Sequence, residues 1–157
     1  LKKSVTLFAK LGVLTEEEAR SRHHILLEKY AKDIDIEAKL VCEMATTLFV
    51  PAAVAYQNEL ARSQAELTAG GIKAPAQASL LRAISEKIER ALTAASELEL
   101  AIAKTDAAGD VEDKAVAYCG KVKPYFDKIR AEVDALELLL PASSWPLPKY
   151  REMLFLM

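Results

Sequence analysis

An all-α fold, a helical bundle with a long antiparallel helical hairpin and an extended proline-containing C-terminal tail, is predicted by three features of this sequence. Apolar residues recur at three- and four-residue steps along most of the chain. Few β-branched alternations could make a strand, and the helix breakers Gly12, Gly70-Gly71 and Gly109 stand far apart. With 157 residues the chain can bury one core without disulfides or metals. We therefore expect a single domain over 1–157, divided into N-terminal helices (1–70), a helical hairpin (75–140) and a docking tail (141–157).

A first short helix, Lys3 to Lys10, is expected to stop at Gly12, which suits a left-handed C-terminal cap. Thr15 opens the second. Its hydroxyl precedes Glu18 by three residues, and Glu16, Glu17 and Glu18 sit where the positive end of the helix dipole favours acids. This helix is expected to reach Lys32, after which Asp35 caps a longer one. The latter's apolar positions are Leu40, Val41, Met44, Leu48, Phe49, Ala52, Tyr56, Leu60 and Leu67. Pro51 lies inside it and lacks an N–H, so a kink near Leu48 to Val50 is expected rather than a break.

After Pro75 come two long helices with three-four spacing. One seam is Leu81, Ile84, Ile88, Ala91, Ala95, Leu98 and Ile102; the other is Ala115, Cys119, Val122, Phe126, Ile129, Val133, Leu136 and Leu140. The short linker from Thr105 to Asp110 calls for an antiparallel pairing. Helices of this length run about 40 Å, so one end is expected to project. Pro124 interrupts the last helix as Pro51 does the earlier one.

The net charge of −2 is spread over interspersed residues, which leaves no basic stripe for nucleic acid and no acidic block. No uninterrupted apolar run approaches the ~20 residues of a membrane span, and no signal-peptide pattern opens the chain. No nucleic-acid or membrane partner is therefore expected. Cys42 and Cys119 are too few for a disulfide framework and read as reduced thiols in a cytoplasmic setting. The start at Leu1, inside an amphipathic pattern, reads as a piece of a longer polypeptide.

Each candidate for chemistry has a plainer reading. His23 and His24 point about 100° apart on a helix and cannot hold one metal together. Leu27 stands three residues after His24, where a phosphotransfer bundle wants Lys, and no Glu-x-x-His occurs for a di-iron site. The Glu16–Glu18 run reads as dipole partners, the glycines fit no phosphate loop, and Cys119 on its seam reads as core. No catalytic, cofactor-binding or metal-binding residue is assigned. The tail is the candidate site. Trp145, Pro146, Leu147, Pro148, Tyr150 and Phe155 put much apolar surface on a segment whose prolines forbid a continuous helix, so it is expected to dock.

Two stretches resemble a known family. Leu7-Phe-Ala-Lys-Leu-Gly12 through Thr15-Glu-Glu-Glu18, His23, Tyr30 and Ile34-Asp-Ile-Glu37-Ala38 is similar to the carboxy-terminal helical extension of type III glutamine synthetases. So is Trp145-Pro146-Leu147-Pro148-Lys149-Tyr150 with the apolar turn after it; Leu147 stands where that family more often has an aromatic. The resemblance implies a parent enzyme joining ammonia to glutamate with ATP cleavage and Mg or Mn, by machinery upstream of this chain. It also implies the catalytic domain of the same chain as partner, and a ring-shaped homo-oligomer. The expected role is assembly or regulation. A free-standing helical interaction module is the alternative.

Overall fold

The computed structural model describes residues 2–155, the side chain of Tyr150 excepted. Most of its described residues are helical, and none of them lies in a strand. Helix α1 is Lys2–Lys10, α2 is Glu16–Met44, α3 is Val50–Ala69, α4 is Pro75–Asp106, α5 is Val111–Ala117, α6 is Pro124–Leu139 and α7 is Tyr150–Met153. A π-helical turn, Ala45–Phe49, joins α2 to α3, and a second, Tyr118–Val122, leads from α5 toward α6.

Local chemistry sets the first boundaries. Gly12 has φ of 65°, and Val13 N–H reaches Phe8 O at 3.0 Å, so the left-handed cap falls on the residue that lacks a Cβ. Thr15 N–H donates to Glu18 Oε2 at 2.8 Å while Glu18 N–H donates to Thr15 Oγ1 at 3.2 Å. The reciprocal pair satisfies two backbone donors that the helix start would otherwise leave open.

Asp35 does not cap a new helix. It lies inside α2, because neither Gly nor Pro interrupts the chain between Lys32 and Asp35 and the carboxylate has other partners: Lys39 Nζ at 2.6 Å and Tyr118 Oη at 3.1 Å. The proline expectation takes a specific form. Upstream of Pro51, Val50 N–H bonds to Ala45 O five residues back, and upstream of Pro124, Lys123 N–H bonds to Tyr118 O in the same way. In a regular helix each proline ring would clash with the carbonyl four residues back; widening the preceding turn by one residue relieves that clash.

The core runs between α2–α3, α4 and α6. From α4 it takes Ile84, Ile88, Ala91, Ala95, Leu98 and Ile102, and from the last segment Tyr118, Val122, Ile129, Val133, Leu136 and Leu140. The first helices contribute mainly small side chains: Ala31, Ala38, Cys42, Ala45 and Ala53, with Ile34 and Val50. Leu40 and Leu48, expected inside, are exposed, because the alanine face lets the helices approach closely and turns the larger leucines outward. By length and composition alone the helix Glu16–Ala69 would pass for a membrane span, yet it buries Ala45, Val50 and Ala53 in this core.

Candidate docking site

The tail meets the bundle at the first π-turn. Trp145 is 8% exposed and its ring stacks on Phe49, with centroids 5.1 Å apart and planes 20° from parallel. Leu140, buried at the end of α6, and the short 3-10 turn Ala142–Ser144 carry the chain to that contact. A second anchor follows at Lys149, whose Nζ donates to Glu137 O and Leu140 O. These carbonyls end α6 and have no helical partner, so the ammonium both satisfies them and opposes the negative end of the dipole. Glu152 in turn accepts from Lys149 N–H at 2.9 Å.

Of the six tail residues singled out from sequence, Trp145 is thus buried, whereas Pro146, Leu147 and Pro148 lie at the surface beside it. Phe155 is 76% exposed. The side chain of Tyr150 lies outside the described residues. Between the tail, the end of α2 and α6 an apolar groove of about 570 Å³ opens, walled by Val41, Met44, Phe126, Ile129, Val133 and Met153 among others. Arg130, Asp134 and Glu137 stand along its rim.

A polar latch holds the other end of the bundle. Tyr118 is fully buried, and its Oη lies 2.7 Å from Asp106 Oδ1 and 3.1 Å from Asp35 Oδ1. Burial, then the two carboxylates, push its phenol far above the ordinary tyrosine value. Lys39 and Lys114 stand against the same carboxylates, so α2, α4 and α5 share one network. Farther along, Glu132 on α6 meets both Lys87 at 3.2 Å and Arg90 at 3.1 Å on α4. Burial pulls the Glu132 carboxyl upward, but the two cations together hold it below its ordinary value.

Cys119 was expected in the seam, and the structure exposes it. The extra residue in the π-turn rotates the face, so Tyr118 enters the core between Ala115 and Val122 while Cys119 faces outward. There it meets Tyr30, whose phenol is raised first by the hydrogen bond with Cys119 and then by burial. Cys42 is buried, and burial with the charge of Glu99 raises its thiol. His23 is half-buried and His24 exposed. Among the described residues no group of three or more His, Cys, Asp or Glu is placed to hold a metal ion.

Phe49, Tyr118 and Lys149 are the contacts that sequence reading missed. Phe49 and Tyr118 each sit in a π-turn just before a proline, and that pairing is the signal that could have found them.

What the fold and these contacts define is an all-helical domain whose polar groups latch its own helices and whose groove beside the tail is apolar. Residues 1–68 match the family model described as the glutamine synthetase C-terminal domain. The chain is 31% identical over 160 aligned residues to a type-3 glutamine synthetase of Dictyostelium discoideum, covering 98% of this chain and 22% of that protein. It is 30% identical over 149 residues to a glutamine synthetase of Bacteroides fragilis, covering 91% of this chain and 20% of that one. A glutamine synthetase of Butyrivibrio fibrisolvens is 30% identical over 154 residues, 97% of this chain and 22% of its own. The chain is a homologue of the C-terminal part of glutamine synthetases, type-3 among them. It spans about a fifth of the length of the relatives it matches.

Proposed function

We propose that this domain serves in assembly or regulation of a glutamine synthetase whose catalytic domain lies in the same, longer polypeptide. In that protein the γ-carboxylate of glutamate takes the terminal phosphoryl group of ATP, ADP leaves, and ammonia then displaces phosphate to give glutamine. ATP and Mg or Mn are bound by the catalytic domain, and none of these steps is assigned to a residue of this chain. The protein works as a ring-shaped homo-oligomer in the cytoplasm, a setting in keeping with the free thiols of Cys42 and Cys119.

One observation carries the reading: similarity of 30–31% runs through 91–98% of this chain in three glutamine synthetases, each about five times longer than the match. A bundle stiffened by the Tyr118 and Glu132 networks suits such a part, because a rigid body can fix the spacing of the surfaces it joins.

The test is to compare the full-length protein with a form that ends before Leu1. We expect the full-length protein to make glutamine from glutamate, ammonia and ATP, and the shortened form to lose assembly mass in native mass spectrometry, glutamine-forming rate, or both. A shortened form of unchanged assembly and rate would overturn the proposed role.

A further inference from the structure

Helix α2 is apolar on two opposite faces. One face, Ala31, Ile34, Ala38 and Cys42, is buried in the core. The other carries Ile25, Ile36 and Leu40, all exposed although large and apolar. At about 100° per residue these three fall within roughly 60° of one another and spread over about 22 Å of helix. Leu26 widens the stripe, and it too is exposed. Helix α1, which packs on α2 and buries Val5, leaves Leu7, Phe8 and Leu11 uncovered. Charged residues share this sector, Lys29 within the stripe and Asp33, Lys32 and Glu28 near it, and they neutralise one another in pairs, Lys29 with Asp33 at 2.9 Å and Lys32 with Glu28 at 3.1 Å. So much uncovered apolar surface with little net charge is unusual for a free monomer.

We propose that this outer face of α2, with α1 beside it, is the surface on which the domain packs against the catalytic domain of its own longer polypeptide, through apolar side chains among charges that are already paired within α2. The inference rests on the functional reading above. Two observations select this occupant. The relatives carry about four-fifths of their length outside the region that this chain matches. The family model matches residues 1–68, the span that contains every residue of the face. The Trp145 tail, by contrast, already uses its largest side chain against Phe49 within the domain.

Thiol labelling tests the assignment. Cys119 is replaced by Ser, and single cysteines are placed by Ile36→Cys and Leu26→Cys, with Leu138→Cys as a reactivity control because Leu138 on α6 is 87% exposed. In the 157-residue chain all three should label quickly. In the full-length protein the Ile36→Cys and Leu26→Cys sites should slow by at least about tenfold, as labelling follows thiol exposure. Equal labelling in the two forms would overturn the proposal. So would protection in the 157-residue chain alone together with a dimer mass, which would make a second copy the occupant. Glutamine formation, assayed on the same full-length samples, separates the two readings. Glutamine formed without protection sinks the docking face and leaves the family role standing, whereas no glutamine formed sinks the role itself.

Discussion

Trp145 lies flat on Phe49, ring centroids 5.1 Å apart, and so ties the chain's end to the π-turn that precedes Pro51. The tail is therefore part of the bundle's packing. Replacing Trp145 by Ala should lower unfolding stability by about 3–5 kcal/mol, the range for emptying a buried aromatic site. Phe155→Ala should change it little, since that ring is exposed. Urea unfolding of both variants, with equal losses contradicting the assignment, checks the contrast.

Tyr118→Phe keeps the buried ring and removes the hydroxyl shared by Asp35 and Asp106. We expect a loss of about 1.5–3 kcal/mol, the scale of a hydrogen bond to a charged group. The pH dependence follows from the raised phenol. The folded protein holds this proton more tightly than the unfolded chain, so the stabilisation is complete below the ordinary tyrosine value of 10.0 and is lost as pH rises above it. The alkaline fall in stability should be shallower in Tyr118→Phe. An identical slope in both proteins would exclude the latch.

Glu132 acts in the opposite direction on the pH scale. Its carboxyl is held below the ordinary value of 4.5, so its contribution is complete above that value and disappears as pH falls through the lower, folded one. Glu132→Gln should cost about 1 kcal/mol at neutral pH, because the pair is only partly buried, and should flatten the acid side of the stability curve. Thermal melting from pH 7 to pH 3 shows whether the two curves converge at low pH, as expected.

The π-turn at Tyr118–Val122 makes a chemical prediction about the two thiols. Cys119, exposed, should react with an aromatic disulfide reagent in the native state, while buried Cys42 should react only on unfolding. Cys119→Ser should abolish the fast phase. A fast phase that survives this change would place the register elsewhere.

Much of this fold was legible because its signals are local. The Thr15 cap, the Gly12 stop and the α4 seam each depend on residues within a turn or two of one another, and each stands where the sequence puts it. The misreadings have one cause in common: a periodic pattern does not say which face another helix will choose. Leu40 fits the three-four pattern of a core position, but the alanine face of α2 permits a closer approach and leaves it outside. Cys119 was placed by a regular count that the π-turn breaks, and Asp35 was read as a cap although its partners come from Lys39 and the distant Tyr118. In the tail, Trp145 is legible as an aromatic that must be covered; its pairing with Phe49, and that of Lys149 with the end of α6, join residues that periodicity alone does not bring together.

Glutamine formation from glutamate, ammonia and ATP–Mg, measured side by side on the full-length protein and on the 157-residue chain, tests the central claim most directly. The account predicts sustained, ATP-dependent glutamine formation by the full-length protein and none above background by the chain alone. Turnover by the 157-residue chain alone, or its absence from a correctly assembled full-length protein, would contradict it.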